Sequence, residues 1–516
     1  MAFIQRLLSL GFVPIVALLA LQIFAPVQFH TFQEIIDPYI ANTPLSHFLP
    51  STIPLRSETP IFIASVTHWS HLEKIAAIAV ELASLGYPIT FLTGRIFENH
   101  VSKLHPNIKF SAFLGLDDKL TAEDYAEWAR IPPGPEQELW VMKKVLMDGM
   151  ADNQETIQVQ FREFKERYGN EKPLIFMADQ SFSGHWPVLL GAPGIRPNST
   201  IGISIAPLTL ESNHTYPFRS GKVPETGPDA KEKHWKAYQD YRNDVFEKSL
   251  NNYYTEKLRE LGATDEPFPS LMVGMNILPD KLLQLGVPGF EFSRPDATQD
   301  VRYFGAFKTV GKSVDDQKIP VWWDDIANAK KAGKKIIAVS QGTVETNPED
   351  LVLPTIEALK DRDDVLLVAT FVTTEPEEVK GLGEVPANTR VAKFVPYDLL
   401  LPMVDILVSN GGYGAVQHCL RLGIPMVVSG LSQDKATTNS LVEHTGVGLN
   451  LGKRAPSKEK IGPAVVKLIE DESFKKNAAK LSKEYENYDV GRVTDGLIRE
   501  VVRDWAKAKR AGKQEL

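Results

Sequence analysis

The sequence predicts an α/β protein built from two doubly wound domains. Three observations carry that prediction. The chain has 516 residues, more than the roughly 250–300 that a single hydrophobic core fills before chains divide. A strand, a helix and a second strand follow one another soon after residue 60, and βα alternation starts afresh beyond residue 334.

The first strand is Pro60–Val66, a short, continuous, β-branched run of the kind that is buried on both faces. A helix follows, with apolar residues at helical spacing (Leu72, Ile75, Ala76, Ile78, Ala79, Leu82, Ala83), Ser70 as its cap and Gly86 as its end. Pro88–Leu92 is the second strand, and the three elements make a βαβ unit, hence a parallel sheet covered by helices. Residues 117–172 are charged and helical in pattern, and Leu174–Ala178 returns to buried strand. The stretch Ser212–Lys248, rich in Lys, Asp and Pro, reads as a surface excursion.

Lys308–Lys318 is polar and glycine-containing and marks a domain boundary. Beyond it the pattern gives strands at Ile336–Val339, Val365–Ala369, Ile406–Val408 and Met426–Val428, with helices at Pro348–Leu359, Ala415–Leu422 and Lys435–His444. Two such domains would face each other across a cleft, since ligands of open parallel sheets bind beyond the carboxyl ends of the strands. The amphipathic stretch Val490–Ala511 could cross back onto the first domain.

Leu7–Phe29 carries no charge and is long enough to span a hydrocarbon core of about 30 Å. It reads as an uncleaved anchor, with a cleaved signal or an interfacial helix as the alternatives. Arg6 before it and Glu34 and Asp37 after it place the N-terminus in the cytosol and the body across the membrane, as in a single-pass protein of the endoplasmic reticulum or another endomembrane. A net charge of −8 offers no basic surface for nucleic acid. The lone Cys419 cannot build a disulfide framework or a cysteine zinc site. Asp361-Arg362-Asp363 has the letters of a divalent-cation pair, but it lies in a polar run between helix and strand and reads as a solvated loop, so no metal is expected.

Ser409-Asn410-Gly411-Gly412-Tyr413-Gly414-Ala415 sets a polar residue and three glycines between a buried strand and a helix. Glycines let backbone approach an anion, and the free N–H groups of a helix start stabilise its charge. The glycines alone are equally those of a tight turn. Ser340-Gln341-Gly342-Thr343 is a second strand-to-loop turn of this kind, with Thr343 able to bond a phosphate oxygen. On the first domain, His68 and His71 follow the first strand, and either could serve as a base. Asp179 closes the strand that begins at Leu174, with His185 and Trp186 close behind.

The segment Phe394–Gly448 resembles the donor-binding signature of the UDP-dependent glycosyltransferases that glycosylate small molecules, enzymes of the two-domain GT-B fold. The matching pieces are Phe394-Val395-Pro396-Tyr397, Leu400-Leu401-Pro402, Val408-Ser409-Asn410-Gly411-Gly412, Gly423-Ile424-Pro425, Asp434-Lys435 and Gly446-Val447-Gly448. The variant with Asn-Gly-Gly-Tyr-Gly and Asp-Lys is similar to fungal and some bacterial members. The resemblance implies two facing Rossmann-like domains, a UDP-sugar as co-substrate rather than a cofactor, and a small, lipophilic acceptor.

It further implies that Phe394, with Val395 beside it, stacks on uracil where the family mostly has tryptophan. Asn410 stands where most members have a histidine on the diphosphate; asparagine donates the same hydrogen bond but cannot become a cation, which shifts phosphate affinity onto backbone amides. Tyr413, Gly414 and Ala415 replace a Trp-Asn-Ser run. His418 stands at the ribose position, with Gln417 able to do that work instead, and Asp434 and Lys435 match the pair on the donor sugar. The family's base lies a fixed distance before the helix-ending glycine; counting back from Gly86 gives His71, with His68 the alternative. Asp179 would orient it, and His185 and Trp186 would line the acceptor pocket together with His68.

These readings divide the chain into an anchor (1–31), an acceptor domain (58–308), a linker (309–333), a UDP-sugar domain (334–487) and a C-terminal helix (488–516). The reaction implied is an inverting transfer of a hexosyl group, glucose first among candidates, without a metal. A non-catalytic binding subunit on the same fold and a nucleotide-sugar epimerase are the alternatives.

Overall fold

The computed structural model describes residues 53–114, 121–132, 134–268, 270–307, 319–342 and 345–511. The run Leu7–Phe29, the linker residues up to 318, Thr343 and residues 512–516 lie outside them. No helix among the described residues is long and apolar enough to cross a membrane.

The first domain is a seven-stranded sheet in the order β3-β2-β1-β4-β5-β6-β7, with β1 at Ile61–Ala64, β2 at Ile89–Thr93, β3 at Ile108–Ala112, β4 at Ile175–Asp179, β5 at Ser199–Ser204, β6 at Lys281–Gln284 and β7 at Val301–Tyr303. The second is a six-stranded sheet in the order β10-β9-β8-β11-β12-β13, with β8 at Lys335–Ser340, β9 at Val365–Thr370, β10 at Thr389–Ala392, β11 at Ile406–Ser409, β12 at Met426–Val428 and β13 at Gly448–Asn450. Neighbouring strands run parallel throughout both sheets. Order reverses between β1 and β4 in one sheet and between β8 and β11 in the other. These switch points are where crossovers leave to opposite faces and a crevice opens at the strand ends.

Six helices frame the site: α1 at Trp69–Ser84, α2 at Ala230–Asn243, α3 at Val245–Glu260, α4 at Tyr413–Leu422, α5 at Lys435–His444 and α6 at Val490–Arg510. All seven apolar positions of α1 picked out by spacing are buried, because β-sheet and α6 cover the same stripe. His68, not Ser70, is the N-cap, and Ser70 lies inside the first turn. Gly86 follows the C-cap at φ +99°, the left-handed conformation in which a side chain would be strained. The Ser212–Lys248 stretch is no bare excursion: α2 fills its second half, burying His234 and Tyr238 one turn apart, and α3 begins at Val245. Asp361 and Asp363 lie between a helix at Val352–Leu359 and β9, where Arg362 turns to Asp364 at 2.6 Å.

The second domain ends in α6, which packs on α1 of the first. Asp495 anchors it, taking Arg56 through both carboxylate oxygens at 2.7 Å each and the Tyr87 hydroxyl at 2.7 Å. Burial works to raise the Asp495 carboxyl; the bonds from Arg56 and Tyr87 overcome it and hold the group below its usual range. One apolar cluster runs without a break from Ile61 and Leu72 through Ile498 and Val502 to Leu407 and Val416, so the two sheets share a core.

Candidate functional site

The first-domain half of the site follows from strand register. Ala64 of β1 pairs with Ala178 of β4, so the loop leaving β1 stands beside the last residue of β4. That residue is Asp179, completely buried, and the loop delivers His71 in the first turn of α1. His71 Nδ1 lies 2.7 Å from Asp179 Oδ2, and Asp179 Oδ1 accepts the backbone N–H of Ser181 at 2.9 Å. A carboxylate offers only lone pairs, so Nδ1 carries the proton and Nε2 is left as the acceptor. The imidazole is 27% exposed while its partner is fully covered, which leaves it a face on the crevice. His68 sits edge-on to His71 with ring centroids 5.9 Å apart, but its Nδ1 meets only the Ser70 hydroxyl, at 2.8 Å. Of the two histidines, only His71 is held by an acid.

His185 and Trp186 do not line a pocket. The loop after Asp179 turns back and stacks Phe182 on His185, with centroids 6.0 Å apart, and Trp186 meets Tyr254 edge-to-face at 5.7 Å. Both residues are core, 4% and 0% exposed. Desolvation lowers the His185 imidazole to about 3, so it stays neutral.

The second-domain half repeats the arrangement. Ser409 of β11 pairs with Ser340 of β8, bringing Gly342 and Asn410 together beyond the strand ends; a Cβ on Gly342 would lie 3.8 Å from Asn410 Nδ2. Gly411 has φ +84°, and a Cβ there would lie 1.7 Å from Asn439 Oδ1, so no other residue fits. Gly412 is the N-cap of α4 and offers no side chain to the N–H groups of its first turn, of which that of Tyr413 bonds Asp434. Asn410 is 4% exposed, and its Nδ2 has no hydrogen-bond partner among the described residues. The Ser340 hydroxyl is taken by Thr370 at 2.7 Å.

Other side chains expected at the donor turn elsewhere. The Tyr413 phenol crosses to the first domain and donates to the Leu285 carbonyl at 2.8 Å, so this residue can offer an anion only its backbone. Gln417 is buried and accepts the Tyr485 hydroxyl. His418 faces Asp398 at 3.6 Å and Arg421 at 3.3 Å, and burial, then Arg421, lowers its proton affinity. The Val395 side chain belongs to the core, 1% exposed. Lys435 is 4% exposed, with its ammonium 2.6 Å from Gln433 Oε1 and 3.4 Å from Glu345 Oε2, because a buried amine requires an anion. Phe394, by contrast, is 62% exposed on the loop after β10. Asp434 N-caps α5 at the crevice; burial raises its carboxyl, while Lys435, the backbone N–H of Tyr413 and the field of His71 from the opposite domain draw it down.

A cavity of about 820 Å³ lies under the loop Tyr216–Lys222, lined by Leu139, Phe218, Phe246, Tyr241 and Glu247 among others. The Arg219 backbone N–H bonds Thr437 Oγ1 of α5 at 2.8 Å, three residues beyond Asp434. Sequence reasoning passed over this region; the spacing of His234 and Tyr238 on α2 was the signal that it folds.

Residues 355–488 match the family model for the erythromycin biosynthesis protein CIII-like C-terminal domain. The chain is 33% identical to UDP-glycosyltransferase 2 of Phaeomoniella chlamydospora over 83% of its own length and 93% of that protein. It is 32% identical to the UDP-glucosyltransferase avaP of Aspergillus versicolor, over 84% and 95%. In fold it resembles the glycotransferase of kitacinnamycin, with a TM-score of 0.58, 19% identity and 86% and 98% of the two chains covered. Two parallel-sheet domains of the GT-B kind, a helix start made of glycines and near full-length relatives together make the chain a member of the UDP-glycosyltransferase family.

Proposed function

We propose that this enzyme transfers a glucosyl group from UDP-glucose to a hydroxyl of a small, lipophilic acceptor with inversion at the anomeric carbon, and that His71 is the base. The observation that carries the reading is the 2.7 Å bond from His71 Nδ1 to the buried Asp179, which leaves Nε2 as the acceptor, with the second domain's Asp434 near enough to feel the histidine's charge. An alcohol is a poor nucleophile until its proton leaves, and a positioned imidazole takes that proton as the new bond forms. Asp179 keeps the tautomer and stabilises the imidazolium, the part an acid plays behind the histidine of a hydrolase triad. UDP departs onto the start of α4 and Asn410 Nδ2, which has no other partner among the described residues. The sugar hydroxyls meet Asp434, and uracil stacks on the exposed Phe394. Glucose is favoured because the avaP relative is named a glucosyltransferase. The acceptor enters by way of the cavity under Tyr216–Lys222, whose apolar lining from Leu139, Phe218 and Phe246 suits a lipophilic molecule.

UDP release from UDP-glucose in the presence of EDTA should depend on adding a phenolic, sterol or lipid acceptor. Release restored only by magnesium or manganese would contradict metal-independent transfer. UDP binding with no turnover on any acceptor would favour a binding subunit, and release without an acceptor an epimerase-like or hydrolytic reaction.

General-base catalysis contributes about 10²–10⁴-fold. His71→Ala should lower kcat by that order, Asp179→Asn by somewhat less, and the double variant little more than His71→Ala, because the two act as a unit. His68→Ala should matter less; if it abolished turnover while His71→Ala kept it, the base would be His68.

Phe394→Ala should raise the KM for UDP-glucose by roughly tenfold, since stacking of a base on an aromatic ring is worth about 1–3 kcal/mol. An unchanged KM would place uracil elsewhere.

A further inference from the structure

Lys74 stands one turn beyond His71 on α1, on the same face. Its ammonium donates to the Ser70 carbonyl at 2.6 Å and stays half-buried at the crevice. From the other domain the first turn of α4 comes directly against it: a Cβ on Gly414 would lie 3.3 Å from Lys74 Cε and 3.7 Å from Nζ. Glycine at 414 therefore lets a first-domain ammonium reach the positive pole of a second-domain helix.

That juxtaposition is unfavourable unless an anion lies between, because a helix start repels a cation. Burial lowers the proton affinity of Lys74, with Glu73, Asp179 and Asp434 pulling the other way. None of these neighbours neutralises it through an ion pair: Glu73 is exposed, Asp179 is engaged by His71 and Ser181, and the Tyr413 backbone N–H already draws on Asp434. Two residues before the helix cap, Asn410 Nδ2 is buried and lacks a partner among the described residues. The start of α4 thus has donors on both sides, Asn410 and Lys74, and of these only Lys74 can be a cation.

We propose that Lys74 is a catalytic cation that reaches across the crevice to the sugar-bearing phosphate of the UDP-sugar and stabilises the charge developing there as the glycosidic bond breaks. The assignment rests on the functional reading above. The sugar lies between His71 and its leaving oxygen, so the phosphate nearest α1 is the one that carries it. In the step, the acceptor oxygen bonds to the anomeric carbon and gives its proton to His71 Nε2. The bond from that carbon to the phosphate oxygen breaks, with its electron pair going to UDP. Lys74 stays protonated throughout and supplies a full positive charge to a site where Asn410 supplies only a dipole.

The test is calorimetric titration of the full-length chain with UDP and with UMP, beside kcat on UDP-glucose, for the wild type and for Lys74→Met, Lys74→Gln and Lys74→Arg. A charge-assisted hydrogen bond to phosphate is worth about tenfold or more in affinity. Lys74→Met and Lys74→Gln should therefore each weaken UDP at least tenfold, change UMP less than twofold and lower kcat at least tenfold, while Lys74→Arg keeps most of both. Equal losses of UDP and UMP, or an unchanged preference for UDP with normal kcat, would overturn the assignment to Lys74. If one neutral variant does not fold, as read by its thermal unfolding, the other gives the same comparison. A wild-type chain that binds no UDP would overturn the functional reading instead.

Discussion

Both halves of the site depend on the strands running parallel in each sheet. Parallel order puts all strand C-termini of a sheet on one edge, and the reversal of order at β1/β4 and at β8/β11 opens one crevice in each domain. His71 and Asp179 follow from the ends of β1 and β4, and Gly342 and Asn410 from those of β8 and β11. The register pairs Ala64↔Ala178 and Ser340↔Ser409 set how these residues meet, so the short His71–Asp179 contact is a consequence of backbone pairing rather than of flexible side chains finding each other.

The second constraint is that the two crevices be held in register with one another. Several contacts do this, and they draw on residues whose position would otherwise suit ligand binding. Tyr413, the first residue of α4, sends its phenol to Leu285 and receives Gln284 Nε2 at 3.3 Å. The helix that would receive a leaving diphosphate is therefore tied directly to the first domain. On the far side, α6 packs on α1, and its Asp495 holds Arg56 before β1 and Tyr87 after α1 with charge-assisted bonds of a kind that each contribute about 1.5–3 kcal/mol. α1 carries His71 in its first turn and packs against α6, so the C-terminal helix rests on the element that holds the histidine.

Much of this was readable in the residues. The apolar stripe of α1, the strand ends and the glycine start of α4 are local patterns, and local patterns survive folding because backbone geometry imposes them. What escaped were contacts between distant segments. Nothing near Gln417 in sequence announces Tyr485, and nothing near Tyr413 announces Leu285; such side chains look available until the distant segment arrives. His185 and Trp186 misled for a related reason. They follow a strand end, a position that usually faces the crevice, but Phe182 turns the loop back so that both rings fill the core. Lys435 looked like a sugar ligand until Glu345, ninety residues earlier, proved to hold it.

The proposed reaction is a single in-line displacement, with one base on the first domain and one leaving-group site on the second. The anomeric configuration of the product made from UDP-α-glucose, read from the proton coupling at the new glycosidic carbon by NMR, tests it most directly. A β-linked product is expected. An α-linked product would contradict it, since retention requires either a second displacement or attack from the face on which UDP leaves, and the geometry of His71 opposite the start of α4 provides for neither.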